Sequence, residues 1–285
     1  MVLRGANFAF ASVSFDEAEF VILGVPFDRT TSFRPGARAG PNAIREASYN
    51  FEPYVFEHDV LLTDIKIHDA GNIEDCGHAE DMIRETKQYV SKIVKAGKFP
   101  ILIGGEHSIN IPAVMAFHNI GVISVDAHLD FRDQYMNNML SHACVLRRNA
   151  DHVGIENVLA FGVRSISFEE KQRPMPEYID AYTIHNEGVV KSFQRALDLI
   201  RKESIYFSLD IDGIDPAYAP GTGTPEPFGL SSMDVKKCIN MVAHRLVGFD
   251  VNEVSPPYDK GNTAMLAARM IVEVIAVVHK QRHKK

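Results

Sequence analysis

Residues 121–130 read GVISVDAHLD, and residues 205–216 read IYFSLDIDGIDP. Each stretch is a short run of apolar, β-branched or aromatic residues that ends in acidic or imidazole side chains. An unbroken apolar run of this length is typical of a strand in a parallel sheet, because such strands are buried on both faces. The two stretches therefore predict two buried strands, each followed at its carboxyl end by polar functional groups.

Similar runs recur along the chain, with helical patterns between them. The predicted strands are Glu19–Pro26, Phe99–Ile103, Gly121–Val125, Asn157–Val163, Ile205–Leu209 and Leu246–Val251, with weaker candidates at Ile65–His68 and Ile179–Ile184. Amphipathic patterns predict helices over His78–Ala96, Glu187–Lys202, a segment that ends at Arg245, and Ala264–Lys280. This alternation predicts an α/β fold with a mostly parallel sheet.

Local signals mark where three of these helices begin or end. Gly97 is a plausible stop for the helix over His78–Ala96. Ser231 with Asp234 resembles a capping box that opens the helix ending at Arg245. Thr263 is a candidate cap for the C-terminal helix.

Composition limits the class of protein. The chain has 285 residues, of which 46% are hydrophobic and 24% are charged. These values predict one globular domain over residues 1–285. The formal charge of −7 provides no basic surplus for phosphates, so we expect no nucleic acid partner.

Cysteine usage and the absence of long apolar runs indicate the compartment. The three cysteines, Cys76, Cys144 and Cys238, form no CxxC pair and predict no disulfide framework, which fits a reducing cytoplasm. The N-terminal sequence contains acidic residues and no continuous apolar core, so it does not resemble a signal peptide. No uninterrupted apolar run reaches membrane length, and we expect no membrane partner.

The polar groups that follow three predicted strands are expected to meet, because functional groups in open α/β sheets gather at the carboxyl edge. A Gly-Gly-Glu-His sequence follows Phe99–Ile103, and its two glycines allow a sharp turn that brings the histidine back toward the sheet. In an extended chain, residues two apart point to the same side. If both segments stay extended, the side chains that share the site are His107, Asp126, His128, Asp130, Asp210 and Asp212.

Taken singly, each motif is more often structural than catalytic. A lone DxHxD can be an exposed loop, Asp215-Pro216 is commonly a turn, and His107 alone could cap a helix. The metal-site hypothesis depends on their joint occurrence, each at the end of its own apolar strand.

The charge of this cluster predicts metal binding. Two carboxylates 4 Å apart repel by about 4 kcal/mol at an effective dielectric near 20. Two divalent ions would neutralise four aspartates and lower the pKa of bound water, which predicts a hydrolase that activates water. A set of mostly carboxylate ligands without thiolates favours manganese, with cobalt, nickel and iron left open.

The longer motifs resemble the signature blocks of the ureohydrolase (arginase/agmatinase) family. The matching blocks are GGEHS at 104–108, SVDAHLD at 124–130, SLDIDGIDPAYAPGTGTPEP at 208–227, DVNEVSPPYD at 250–259, GVPFD at 24–28 and RPGARAGPNAIR at 34–45. They span nearly the whole chain, and GTGTPEP and NEVSPPYD look closer to agmatinases than to arginases. Glu106 and Ala143 depart from the family's frequent aspartate and glycine.

This resemblance implies a three-layer α-β-α fold, two manganese ions and a homo-oligomer, either a trimer or a hexamer. It assigns one ion to His107, Asp126, Asp130 and Asp210, and the other to Asp126, His128, Asp210 and Asp212. The implied reaction is hydrolysis of a guanidinium to urea and an amine by a metal-bridging hydroxide. By the same resemblance Asp130 holds the proton after attack, His142 passes a proton to the leaving amine, and Glu253 hydrogen-bonds the guanidinium.

The resemblance favours agmatine, a small cationic guanidino compound, as the expected substrate, with urea and putrescine as the expected products of a step in polyamine biosynthesis. Arginases typically place an asparagine and small hydroxyl residues after the DAHxD motif, whereas residues 131–135 here are FRDQY. Arginase, guanidinobutyrase and formimidoylglutamase activities stay open, as does a non-catalytic metal-binding protein. A substrate carboxylate would need a cation, and the candidates are Arg132, Arg147 and Arg148.

Overall fold

The computed structural model describes residues 7–283. Residues 1–6 and 284–285 lie outside the described residues, so the predictions of a single domain over 1–285 and of no signal peptide stay predictions. The strands are β1 (Phe20–Val25), β2 (Tyr54–Val55), β3 (Val60–Leu61), β4 (Ile67–Asn72), β5 (Phe99–Gly104), β6 (Gly121–Val125), β7 (Val158–Val163), β8 (Glu177–Asp180), β9 (Ile205–Asp210) and β10 (Leu246–Asn252). The α-helices are α1 (Gly40–Ser48), α2 (Ala79–Lys95), α3 (Asn110–Val114), α4 (Val145–Val153), α5 (Phe168–Lys171), α6 (Ala181–Glu187), α7 (Val189–Leu199), α8 (Ser232–Val242) and α9 (Asn262–Arg282).

Within the described range, an eight-stranded sheet has the order β4-β1-β5-β10-β9-β6-β7-β8, and all of its pairs are parallel. Strands β2 and β3 form a separate antiparallel pair. Because parallel strands need crossover connections, helices lie on the two faces of the sheet. The predicted three-layer α-β-α fold with a mostly parallel central sheet is confirmed.

The two faces of the sheet carry two apolar cores. Along β1, Phe20 and Ile22 pack into one core, and Val21 and Leu23 pack into the other. This alternation explains why both faces must be apolar and why the strands appear in the sequence as unbroken apolar runs. The first core is covered by α1, α7, α8 and α9, and the second by α2, α3 and α4.

Three local predictions were wrong. The weak strand Ile179–Ile184 ends at Asp180, whose side chain accepts a hydrogen bond from the Thr183 amide at 2.8 Å and so opens α6. The weak strand Ile65–His68 is displaced toward its carboxyl end as β4. Thr263 does not cap α9, because the Asp259 carboxylate accepts amides at the start of that helix, Gly261 at 2.8 Å and Thr263 at 2.7 Å. A side-chain oxygen in this position satisfies amides that have no partner within the helix.

Two other predictions of helix ends are confirmed. Ser231 and Asp234 form the capping box of α8, each side chain accepting the other's amide at 3.1 Å. Such reciprocal bonds satisfy two free donors at once. Gly97 follows α2 with a φ of 71°, the left-handed conformation that a helix stop favours.

Helix α9 is long and apolar enough to span a membrane by length and composition alone. It leaves no uninterrupted apolar run in the sequence, because Arg269 and Glu273 break the run. In the structure 72% of its most apolar window is buried inside the protein, where it packs against α1 and α8. Its apolar character is therefore that of a core helix.

Candidate metal centre

The candidate site lies where the four central strands of the sheet end. His107 begins a one-turn helix three residues after β5, and Asp126 directly follows β6. Asp210 is the last residue of β9, and Glu253 directly follows β10. Since these strands are parallel and paired in the order β5, β10, β9, β6, their ends place the four side chains at one edge of the sheet.

A first cluster surrounds one nitrogen of His107. The Nδ1 atom lies 3.1 Å from Asp126 Oδ2, 3.1 Å from Asp130 Oδ2 and 3.2 Å from Asp210 Oδ2. One imidazole N–H cannot make three good hydrogen bonds at once, because it carries one proton. Three carboxylate oxygens and one nitrogen that converge in this way are a suitable ligand set for a cation.

A second cluster surrounds His128. Its Nδ1 atom lies 3.1 Å from Asp212 Oδ2 and 3.6 Å from Asp126 Oδ1. The two carboxylate oxygens of Asp126 thus face different imidazoles, and Asp126 belongs to both clusters. The pair of clusters has the connectivity of two cation sites that share a carboxylate.

Two of the aspartates reach the site by a different backbone route from the one predicted. Asp130 is not extended but left-handed, with a φ of 49°, and its carbonyl accepts the amide of Leu146 at 3.0 Å. Asp212 lies in a one-turn helix, Ile211–Gly213, instead of an extended segment. Left-handed backbone in a non-glycine residue is uncommon and concentrates at functional sites. The rule that residues two apart share a side was therefore wrong here, although both side chains arrive where it placed them.

The two glycines before His107 serve close packing rather than a special turn. Neither has a positive φ. A Cβ on Gly105 would lie 1.9 Å from the carbonyl oxygen of Phe27, and a Cβ on Gly104 would lie 2.4 Å from Ile109 Cδ1. Glycine at 105 therefore lets the backbone of Phe27 lie directly against the segment that leads to His107.

Buried polar partners fix the orientation of His107. Its Nε2 atom lies 3.2 Å from Ser208 Oγ, which donates to Asp250 Oδ1 at 2.7 Å. The other Asp250 oxygen accepts from Asn110 Nδ2 at 2.6 Å. With its proton on Nε2, His107 presents the Nδ1 lone pair to the carboxylates, which is the usual arrangement of a metal-binding histidine. Sequence reasoning missed this network, although Ser208 and Asp250 stood out as polar residues inside apolar strands.

The pKa values of the cluster reflect its excess of negative charge. Burial alone would lower the pKa of His107, but its contacts with Asp126, Asp130 and Asp210 raise that pKa well above its usual value. Burial and then the charge of Asp126 raise the pKa of Asp130 to about 7. Burial and then the charges of Asp212 and Asp126 raise the pKa of Asp210 well above its usual range. Protein groups alone do not neutralise these acids, and an oxygen-rich set with two imidazoles fits divalent cations of hard or borderline character.

His142 lies at the cavity and is held by the segment that follows Phe27. Its amide donates to Thr30 Oγ1 at 2.9 Å, and its Nδ1 lies 3.2 Å from the same oxygen. Thr30 Oγ1 in turn donates to Glu106 Oε1 at 2.5 Å, and the Thr30 amide donates to Glu106 Oε2 at 2.8 Å. Burial, followed by the positive charges of His107 and His128, lowers the pKa of His142 to about 4. Glu106, a departure from the family pattern, therefore supports the residue that contacts His142.

Glu253 is a buried carboxylate beside both clusters. Its Oε1 atom accepts the His107 amide at 2.8 Å, and its own amide donates to the carbonyl of Gly105 at 2.8 Å. Its φ is 58°, a second left-handed residue at the site. Burial and then the charge of Glu106 raise the pKa of Glu253 to about 8.

Most of these groups line a cavity of about 140 Å³. Other lining residues are Ser32, Leu129, Arg132, Tyr135, Ala143, Ser165, Ser167, Glu170 and Thr224. Of the three arginines considered for a substrate carboxylate, Arg132 lines the cavity, 3.5 Å from Glu169, whereas Arg147 and Arg148 bind Asp151 at 3.2 and 3.0 Å. The eight predicted site residues are all brought together, six of them on the cavity wall and His107 and Asp126 directly behind it.

Arg164 is a further residue that sequence reasoning missed. Its Nη2 atom donates to the carbonyls of Asp212 at 2.6 Å and Glu226 at 2.7 Å. Thr224, within the segment that Arg164 anchors, donates to Asp212 Oδ2 at 3.0 Å. The guanidinium thereby fixes the loop after β9, which carries Asp212.

A parallel α/β sheet with overlapping imidazole–carboxylate clusters at its carboxyl edge has the architecture of a metal-dependent enzyme. The chain belongs to the arginase family, whose profile matches residues 18–277, and it is a ureohydrolase. It is similar to an agmatinase of Bacillus anthracis, with 37% identity over 94% of each chain. The agmatine ureohydrolase structure of Thermoplasma volcanium superposes with a TM-score of 0.95 and 39% identity, covering 99% of this chain and 98% of that one. A mitochondrial guanidino acid hydrolase of Homo sapiens is 34% identical over 90% of this chain and 78% of its own length.

Proposed function

We propose that this ureohydrolase cleaves agmatine to urea and putrescine with two divalent ions, manganese by preference. The observation that carries the proposal is the pair of clusters sharing Asp126, with the buried carboxylate of Glu253 beside them. The agmatinase and agmatine ureohydrolase relatives, each similar over more than nine-tenths of the chain, support the choice of substrate.

One ion would be held by His107, Asp126, Asp130 and Asp210, and the other by Asp126, His128, Asp210 and Asp212. The ions, when bound, lower the pKa of coordinated water and so supply a nucleophile near neutral pH. Asp210 has one oxygen, Oδ2, in the first cluster, and its Oδ1 accepts the Asp212 amide at 2.9 Å. That hydrogen bond fixes the orientation of the carboxylate, with Oδ2 facing the first cluster.

Glu253 binds the substrate guanidinium in this proposal. A carboxylate and a guanidinium are both planar and pair through two N–H···O bonds, which orients the central carbon toward the clusters. The left-handed backbone of Glu253 and the amide of His107 hold the carboxylate in place. Asp130, in contact with His107 in the first cluster, accepts the proton that the attacking water loses.

His142 delivers a proton to the leaving amine. With Nδ1–H donated to Thr30 Oγ1, the opposite nitrogen, Nε2, takes up a proton from solvent in the cavity and passes it to the amine nitrogen, and the ring returns to its neutral form. Transfer to nitrogen converts the amine into a good leaving group, and urea and putrescine separate. Binding and orientation thus fall to Glu253, and proton movement falls to Asp130 and His142.

The decisive test is urea release from a panel of substrates by the manganese-loaded protein. We expect the highest kcat/KM for agmatine, with arginine at least about 100-fold lower, because Arg132, the arginine that lines the cavity, is already paired with Glu169 at 3.5 Å and leaves an α-carboxylate poorly partnered. Faster release from arginine contradicts agmatine as the substrate. Absence of release from every guanidine, with the metal content verified, identifies a non-catalytic protein.

Guanidino acids are a second candidate class, because Arg132 lines the cavity and could bind a carboxylate at the far end of the substrate. Its partner Glu169 lies at 3.5 Å and could instead attract an ammonium. Arg132→Met should raise kcat/KM for agmatine if the guanidinium repels that ammonium, and should lower kcat/KM for 4-guanidinobutyrate if it binds the carboxylate. The predicted homo-oligomer and cytoplasmic location stay part of the proposal, to be measured by light scattering and cell fractionation.

A further inference from the structure

A second group of metal-ligating side chains lies away from the cavity, where the end of α9 meets the start of β1. His279 Nδ1 lies 2.9 Å from Glu19 Oε2, and His283 Nε2 lies 3.4 Å from the same oxygen. The two imidazole rings are 4.4 Å apart between centroids. Their potential ligand atoms all lie within 4.8 Å of one another. Two imidazole nitrogens and a carboxylate therefore converge on one small volume.

Secondary structure holds the three side chains in this arrangement. The Glu19 amide donates to the carbonyl of Lys66 at 2.8 Å, and its carbonyl accepts the Phe99 amide at 2.9 Å, so Glu19 is fixed between two neighbouring strand segments. His279 lies within α9, and His283, one turn later, donates its amide to the His279 carbonyl at 3.0 Å. Histidines four residues apart on one helical face are a recurrent zinc-binding pair.

This group is remote from the candidate metal centre. Glu19 precedes β1 and so lies at the amino edge of the sheet, whereas the centre lies at the carboxyl edge. The strand between the two edges rises about 3.3 Å per residue, so its whole length separates the two groups. Occupation of one site can therefore be measured independently of the other.

Cations of the protein do not saturate Glu19. Among residues 7–283, Glu19 Oε1 is buried and accepts no hydrogen bond. The nearest guanidinium nitrogen, Arg282 Nη1, lies 3.9 Å away, and the guanidinium stacks over Phe99 at 5.2 Å. Lys98 Nζ donates instead to the carbonyls of Asp16 and Ala18 at 2.9 Å. The carboxylate is thus available to a further cation, with Arg282 already placed on an aromatic face.

We propose that Glu19, His279 and His283 form a third metal site, selective for zinc, which fastens the end of α9 to the start of β1. Two imidazoles, one carboxylate and a water give the four-coordinate nitrogen-rich set that zinc accepts. The candidate metal centre has the opposite balance, with carboxylates in excess, so the two kinds of site prefer different ions.

The test counts zinc ions bound by the full-length, manganese-loaded protein at a pH near 7.5, where an ordinary imidazole is mostly neutral. Wild type is compared with His279→Gln/His283→Gln by isothermal titration with zinc chloride, and bound zinc and manganese are counted by mass spectrometry. We expect one more zinc equivalent in wild type than in the double variant. Glu19→Gln should weaken that extra site at least about tenfold, because loss of even an outer partner of a ligand has this effect. His118→Gln, which alters the His118–His152 ring pair at 5.9 Å, is the matched control and should leave the count unchanged.

Zinc can also displace manganese from the candidate centre, but such exchange occurs equally in wild type and the double variant and cancels in the comparison. Equal zinc counts in the two proteins overturn the proposal. In that case any zinc bound outside the candidate metal centre lies elsewhere in the protein. A second readout is thermal: zinc should raise the Tm of manganese-loaded wild type more than that of the double variant, because the ion joins two elements of the fold.

Discussion

Buried carboxylates occur in two contrasting regions of this molecule. Asp69 forms a two-pronged ion pair with Arg45, whose Nε and Nη2 atoms lie 2.8 Å from its two oxygens, and it also accepts the amides of Phe8 and Gly71. At the candidate metal centre, four aspartates share two imidazoles. In the first region one guanidinium matches one carboxylate, whereas in the second four carboxylates outnumber two imidazoles.

The difference teaches how to distinguish a structural carboxylate from a ligand. An ionised side chain that is fully paired inside the protein needs nothing further, and loss of its partner leaves a costly buried charge. An excess of acids at a cavity is tolerable only with protons or with cations from solution. Substitutions at the Arg45–Asp69 pair should therefore lower mainly stability. Substitutions at the candidate metal centre should lower mainly activity.

The largest expected effect is on activity, from Asp210→Asn. The amide keeps the shape of the side chain but removes a charge proposed to face both ions, so kcat/KM for agmatine should fall more than about 100-fold, beyond the loss typical of an outer partner. The stability of the metal-free protein should hardly change, because burial and the charges of Asp212 and Asp126 raise the pKa of Asp210 well above its usual range and so already disfavour its ionised form. Urea release, metal counting and thermal melting together check this. Full activity with two bound ions would remove Asp210 from the ligand set.

The next effect is on stability, from Arg45→Met. The variant leaves Asp69 buried without its cation, which should lower the free energy of unfolding by about 3–5 kcal/mol. Urea denaturation gives the measurement, and kcat of the folded fraction should stay near the wild-type value. If the variant does not fold, Arg45→Lys keeps the charge but loses one prong, and a smaller loss is expected. A loss below about 1 kcal/mol in both variants would contradict the comparison, since breaking a buried pair costs more than that.

Elements with a regular pattern of apolar residues could be predicted from the sequence. The backbone conformation could not be predicted where a single residue decides it. Apolar runs located the core strands because burial on both faces leaves a clear signal. The shared edge at which β5, β6 and β9 end was inferred from α/β rules, and Glu253 after β10 from the family resemblance, whereas the order of the strands was not predicted. The left-handed backbone of Asp130 and the turn that carries Asp212 leave no periodic signal.

Contacts between distant segments were also beyond the sequence. Thr30 and Glu106 are 76 positions apart, and only the fold shows that they form one chain of hydrogen bonds to His142. Arg164 was also missed, for a different reason. Its partners are backbone carbonyls rather than side chains of opposite charge. Side-chain types in the sequence indicate which residues react or bind metal, but not which residues hold them in place by hydrogen bonds.

A smaller effect is expected from Thr30→Val, which sharpens the comparison at the edge of the candidate centre. Valine keeps the size of the side chain but breaks the link between Glu106 and His142, so kcat should fall about tenfold or more with little change in KM. Glu106→Gln should weaken the same link, and the two losses should not add in the double variant. Thr31→Val, whose hydroxyl makes only a 3.4 Å contact with Glu106, is the control. Additive losses, or a change in KM alone, would show that Thr30 acts through substrate binding instead.

The smallest effect concerns the pH dependence of stability at Glu273 in α9, a second buried carboxylate that the protein pairs internally. Burial alone would raise its pKa, but hydrogen bonds from His58 at 2.6 Å and Asn240 at 2.7 Å lower that pKa below its ordinary value of 4.5. The ionised form therefore stabilises the fold above the ordinary pKa, and this contribution is lost as the pH falls through the lowered one. Urea unfolding of wild type and Glu273→Gln should show a wild-type advantage near pH 7 that shrinks below about pH 4. An advantage that grows on acidification would instead mean that Glu273 is protonated in the folded protein. The His58–Glu273 pair would then not be an ion pair like that of Arg45 and Asp69.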